Sequence, residues 1–122
     1  MHVKSMDLSW IVVTDIAQAI KFYTETVGLK LLVKDENFGW AELQGHQGGC
    51  RLGIAQYNAE EGLKPGQNAY VTFSVESLEK ALQSMVAKGA KTIGAVQEVP
   101  GHVKMQMVVD SDGNHFQMVE ML

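Results

Sequence analysis

Cysteine is almost missing from this chain: Cys50 stands alone among 122 residues, so no internal disulfide can form and no second thiol completes a redox or zinc pair. Such a residue is expected to serve as a small buried hydrophobe. Positive charge is also scarce and scattered. Ten Lys and Arg face fourteen Asp and Glu, a net charge of −4, which leaves no basic stripe to neutralise phosphates, and nucleic acid is not an expected partner. No apolar run approaches the about 20 residues that span a bilayer, so no membrane association is expected. Met1 to Asp7 lacks the apolar core of a secretory signal, and the expected location is the cytoplasm. No Gly-x-Ser-x-Gly elbow occurs, and Cys50 has no base at a diagnostic spacing. The glycines at 45, 48 and 49 precede a strand rather than open a helix, unlike a phosphate loop.

What remains is globular in character. A composition 46% hydrophobic and 20% charged separates the chain from disordered sequences, and its length suits one ordinary core or two small halves that share one. From Leu8 to Val13 an apolar run ends at Thr14-Asp15, and the period then changes. Ile16, Ala19, Ile20, Tyr23 and Val27 fall on one helical stripe. Asp15 is placed to cap it, Gln18 completes a capping box, and Gly28 ends it. Leu29 to Val33, Phe38 to Leu43 and Cys50 to Tyr57 are expected strands, with a turn over Gly45 to Gly49.

Asn58 to Asn68 has acids, glycines and Pro65 with little periodicity, and is expected to be a connecting loop. The plan then repeats. Ala69 to Val75 forms a strand, Ser77 a cap, and Leu78, Ala81, Leu82, Met85 and Val86 a helical stripe before Gly89. Lys91 to Val96, Val103 to Asp110 and His115 to Met121 supply three further strands. A shift of 62 positions lays Asp15 on Ser77, Ile16 on Leu78, Ala19 on Ala81 and Tyr23 on Met85. Two β-α-β-β-β modules follow, at about 6–58 and about 69–122, joined by a linker at about 59–68. One module alone has too little core to bury one side of its sheet, so modules must associate.

Near the end, Asp110-Ser111-Asp112-Gly113-Asn114 lies between two apolar runs. Short side-chain acceptors there can cap backbone donors and Gly113 can take a positive φ, so a hairpin is expected. This hairpin, together with Asp15-Ile16-Ala17-Gln18-Ala19-Ile20-Lys21-Phe22-Tyr23 and the following Val27-Gly28-Leu29-Lys30, resembles the vicinal oxygen chelate superfamily, which includes glyoxalase I, bleomycin-resistance proteins and extradiol dioxygenases. The resemblance covers nearly the whole chain. It implies an α+β fold of paired β-α-β-β-β modules whose curled sheets form a cup, commonly as a homodimer.

The resemblance also implies a divalent cation held by His and Glu side chains on the concave face. Its usual ligand positions fall here on Leu8, on Ile54 or Gly53, on Tyr70 and on Gln117. None is His, Asp or Glu, and a cation would find no anionic ligand to offset its desolvation. No cofactor is expected. A rebuilt site from His2, Asp7 and His115 is conceivable, though surface or hydrogen-bonded roles are the commoner use of such residues.

Strand alternation then sorts the faces. Leu8, Trp10 and Val12 share the concave side of the first strand, while Ile11 and Val13 face the helix. Tyr70, Thr72 and Ser74 share one side of their strand, and His115, Gln117 and Val119 one side of the last. Trp40 and Glu42 add an indole and a carboxylate, and Met105 and Met107 adaptable side chains. The candidate ligand contacts are therefore Leu8, Trp10, Trp40, Glu42, Tyr70, Thr72, Met105, Met107, His115 and Gln117. An aromatic wall with a few polar handles suits a flat or hydrophobic small molecule, and Glu42 with the indoles could hold a cationic group. The expectation is a metal-free binding protein of the bleomycin-resistance kind. The alternative is a lyase, isomerase or dioxygenase with a non-standard metal site, or one whose proton transfer runs through Glu42, Tyr70 or His115.

Overall fold

The computed structural model describes residues 2, 6–61, 64–66 and 71–122. The chain divides into two compact units, Met1–Gln67 and Asn68–Leu122. The first contains β1 (Leu8–Val13), α1 (Ile16–Lys21), a π-helical turn Phe22–Thr26, β2 (Lys30–Asp35), β3 (Trp40–Gly45), β4 (Gly48–Gln56) and a 3-10 turn Ala59–Glu61. The second contains β5 (Val71–Ser74), α2 (Leu78–Ala87), β6 (Lys91–Val99), β7 (Val103–Val109) and β8 (His115–Met121).

Each unit is a β-α-β-β-β module with one four-stranded sheet, ordered β1-β4-β3-β2 and β5-β8-β7-β6. The helix carries the chain from the first strand to the far edge. Two antiparallel steps then walk back until the fourth strand pairs parallel with the first, Ile11 with Ile54 and Phe73 with Met118.

Local chemistry explains both helices. Asp15 is extended (φ −138°) and its Oδ1 accepts the Gln18 amide at 3.2 Å; Ser77 is extended in the same way and its Oγ accepts the Lys80 amide at 3.3 Å. A second cap comes from the far end of each module. Gln56 Oε1 accepts the Ile16 amide at 2.9 Å, and Glu120 Oε1 accepts the Leu78 amide at 2.8 Å. The first unpaired donor of each helix is thus met by a side chain of the last strand.

The first helix departs from the single stripe expected to run to Val27. After Lys21 the bonds widen, with the Val27 amide reaching Phe22 O at 3.1 Å, while Thr24 Oγ1 donates back to Ile20 O at 2.7 Å. A threonine hydroxyl that competes for a helical carbonyl loosens the turn. Tyr23 keeps its place in the core at 1% exposure, and Gly28 (φ +93°) ends the run as expected.

One face of each sheet is covered by its own helix. Ile11, Val13, Ala41, Leu43, Leu52 and Ile54 are buried with Ala19 and Tyr23, and α1 lies against β3 and β4. In the second unit Val108, Phe116 and Met118 are buried with Leu78 and Met85, and α2 lies against β7 and β8. Cys50 is exposed, contrary to expectation. The first four residues of β4 are all exposed and its buried stretch begins at Leu52, so this cysteine lies beyond the covered part of the strand.

The hairpin at residues 110–114 is built as its composition predicts. Asp110 Oδ1 accepts the Asp112 and Asn114 amides at 2.9 and 2.8 Å, and Oδ2 accepts Asn114 Nδ2 at 2.9 Å. Gly113 has φ +83°. Among the described residues, no helix is long and apolar enough to cross a membrane.

Candidate functional site

The helix-free face of the first sheet carries Leu8, Trp10, Trp40 and Glu42. Trp10 and Glu42 both lie opposite Gly53, Leu8 opposite Arg51 and Trp40 opposite Ala55, and directly paired residues share a face. Leu8 and Trp10 are 38% and 43% exposed, whereas Ile54 is fully buried on the other side. The ambiguous position on the fourth strand is therefore Gly53 on this face, not Ile54.

Gly53 is needed there. A Cβ on it would run into the Trp40 ring and stand 2.8 Å from Trp10 Cβ. The bare backbone lets the two indoles close over β4, their ring centroids 6.0 Å apart at 64° in an edge-to-face arrangement, a favoured geometry for aromatic pairs.

Glu42 ties this pair down. Trp40 Nε1 donates to its Oε2 at 2.8 Å, and Arg51 Nη1 donates to its Oε1 at 2.8 Å. The indole N–H first, and the guanidinium second, hold the Glu42 carboxyl below the usual glutamate range, against a smaller opposing effect of burial. It is thus an ionised acceptor with both oxygens engaged, poorly suited to donate a proton.

Beside the indoles an open groove of about 730 Å³ runs along the end of the sheet. Trp10, Trp40, Phe38 and Tyr57 provide its aromatic wall, and Asn37, Gln56 and Asn58 are among its polar lining. It lies between the β2–β3 turn and the segment after β4. Asp35 Oδ1 accepts the amides of Asn37 and Phe38 to shape the turn, and the Gln56 amide donates to Gly39 O at 2.8 Å to bring both segments together.

In the second unit Thr72, Met105, Met107, His115 and Gln117 share the helix-free face, since Gln117 lies opposite both Thr72 and Met107, Met105 opposite Val119, and His115 opposite Val109. Thr72 is exposed and the other four are half-buried. Gln117 Nε2 is 3.1 Å from Met105 Sδ, and Thr72 Oγ1 approaches Gln117 Oε1 at 3.5 Å, the limit for a hydrogen bond. Tyr70 lies outside the described residues.

These positions do not suit a divalent cation. Leu8 offers only carbon, Gly53 offers no side chain, and the Gln117 amide is turned to Met105 and Thr72. Among the described residues, which include His2, Asp7 and His115, no group of three or more His, Cys, Asp or Glu could hold a metal ion.

A family model for the Glyoxalase/Bleomycin resistance protein/Dioxygenase superfamily matches residues 2–118. The chain belongs to this superfamily. No curated protein sequence matches the chain. Solved structures of similar fold include superfamily members and relatives. TnmS3, an antibiotic-binding protein from Streptomyces sp. CB03234, is 20% identical with a TM-score of 0.84 over 100% of this chain and 99% of its own. A Glyoxalase/bleomycin resistance protein/dioxygenase superfamily member from Sphaerobacter thermophilus DSM 20745 is 21% identical, with a TM-score of 0.80 over 97% and 98%. TioX from Micromonospora sp. ML1 is 18% identical, with a TM-score of 0.75 over 97% and 99%. At such identities the likeness is one of fold.

Within this superfamily chain, the structure brings Trp10, Trp40 and Glu42 together and adds residues that the sequence did not single out. Arg51 shares the parity of Gly53 and Ala55 on β4, so alternation puts it on the same face as Glu42, while its pairing with Glu42 depends on the register of β3 against β4. Phe38 and Tyr57 are end residues of two expected strands but lie just outside the observed β3 and β4, and no periodic signal marks such a residue as a groove wall.

Proposed function

We propose that this chain is a metal-free binding protein, resembling bleomycin-resistance proteins, that holds a small hydrophobic or aromatic molecule without altering it. The observation that carries this reading is the groove walled by Trp10, Trp40, Phe38 and Tyr57, with its indoles fixed over Gly53 and by Glu42. Preorganised aromatic rings bind flat molecules with little ordering cost. The antibiotic-binding role of TnmS3, a protein of this fold, supports the same reading. So does the state of Glu42: a carboxylate held ionised by two donors serves structure and recognition better than proton transfer. Leu8 on the first unit and, taken by themselves, Thr72, Met105, Met107, His115 and Gln117 on the open face of the second are further positions we assign to ligand binding, and a homodimer is the assembly we expect.

Tryptophan fluorescence titration against a panel of planar aromatic compounds tests this function. Saturable quenching by at least one compound is expected, weakened about tenfold or more by Trp10→Ala or Trp40→Ala. A panel that leaves the indole emission unchanged throughout would overturn it. Light scattering of the purified chain tests the dimer.

A further inference from the structure

Two indoles beside a carboxylate make an attractive setting for a cation, because the ring faces and the negative charge act together. Here the carboxylate is already taken. Glu42 Oε1 accepts Arg51 Nη1 and Glu42 Oε2 accepts Trp40 Nε1, each at 2.8 Å. The Arg51 side chain is 43% exposed and that of Glu42 18%, so the positive partner is the more accessible of the two.

The structure assigns to Arg51 the choice of ligand charge: by neutralising Glu42 behind the Trp40 indole, it turns the aromatic groove away from cationic planar molecules and towards neutral or anionic ones. This rests on the binding function proposed above and gives its ligand class.

The other charges nearby do not undo this. Glu36 lines the groove but is paired with Lys34 at 3.4 Å, and its side chain is 82% exposed, where water screens it. Asp35 lies opposite Trp40 on β2, and its Oδ1 is held by two turn amides. Its charge is the same whatever stands at 42 or 51, so it cannot create a difference between variants at those positions.

Neither Arg51 nor Glu42 lines the groove; Glu42 meets it through its bond to the lining residue Trp40. Arg51 acts through that carboxylate, as a specificity-setting residue rather than a ligand contact. Arg51→Gln leaves the Trp40 to Glu42 bond available and frees the carboxylate. Glu42→Gln keeps an acceptor for the indole N–H and leaves the guanidinium unopposed. The two changes must therefore move charge preference in opposite directions, which generic loosening of the sheet cannot do.

Equilibrium dialysis at neutral pH with 9-aminoacridine as the cation, acridone as the neutral ring and acridine-9-carboxylate as the anion reads this out. The unaltered chain is expected to bind acridone at least as tightly as 9-aminoacridine. Arg51→Gln should shift the ratio roughly fivefold towards the cation, and Glu42→Gln should shift it towards the carboxylate, both shifts shrinking in high salt. A preference for 9-aminoacridine in the unaltered chain, unchanged ratios, or ratios that move the same way in both variants would overturn the inference while the binding function stands. Failure of all three dyes to bind any of the proteins, alongside a silent fluorescence panel, would overturn both.

Discussion

The ring of Trp40 fills the space in which a side chain at residue 53 would sit, and Gly53 is the reason the two indoles can share one stretch of β4. Gly53→Ala is therefore expected to destabilise the chain by about 1–3 kcal/mol, the usual cost of forcing a methyl group into filled space. The Trp40 ring tip can swing aside but Trp10 Cβ, next to the backbone, cannot. A thermal melt together with a shift in tryptophan emission checks this; an unchanged melt would mean that the indoles are not held as described.

Acid should loosen the same corner. The Trp40 N–H and the Arg51 guanidinium stabilise the Glu42 carboxylate, so its folded pKa lies below its unfolded one. The stability this contributes is fully present above the unfolded value and is lost as pH falls from there through the folded value. Urea melts taken from neutral pH into the acid range should show a component of the loss that Glu42→Gln abolishes. Because the pair is partly exposed, the component is small and salt-sensitive. Equal acid slopes in the two proteins would refute it.

The terminal hairpin depends on Asp110. Its carboxylate receives two backbone amides and the Asn114 side chain, and Asn114 is 1% exposed. Asp110→Ala leaves buried donors unmet, at about 1–3 kcal/mol for such a group. Denaturant midpoints should fall accordingly, with Asp112→Ala, which keeps its own amide, as the mild control.

A buried amide holds the edge strand β6. Gln106, 4% exposed, points its Nε2 at Ile93 O, Gly94 O and Met107 O at 2.9, 3.2 and 3.0 Å, where the β6–β7 register shifts between Ile93 and Gln97. Gln106→Ala should cost about 1–3 kcal/mol and speed hydrogen exchange across β6 more than across β8. Uniform acceleration would place the role of Gln106 elsewhere.

The module plan was legible because it rests on local rules: Asp15 and Ser77 as caps, Gly28 and Gly89 as stops, and two-residue alternation along each strand. The faces of Trp10, Trp40, Thr72 and Gln117 followed from that alternation. Gln106 was not legible, since a glutamine facing the core finds its partners only in a strand bulge that no pattern announces. Nor was the pairing of Arg51 with Glu42, which depends on the register of β3 against β4. The groove wall at Phe38 and Tyr57 comes from turns closed by Asp35 and Gln56, contacts set by tertiary packing rather than by periodicity.

Gln56 and Glu120 each reach back some forty residues, 16 to 56 and 78 to 120, to finish a helix begun near the start of their module. Neither helix has its first donor satisfied until the fourth strand has come alongside the first. The start of each helix is thereby tied to the last strand of its module, a contact distant in sequence of the kind that slows folding. On the ribosome, the first module has all of its structural parts once Gln56 has emerged, whereas the second must wait for Glu120.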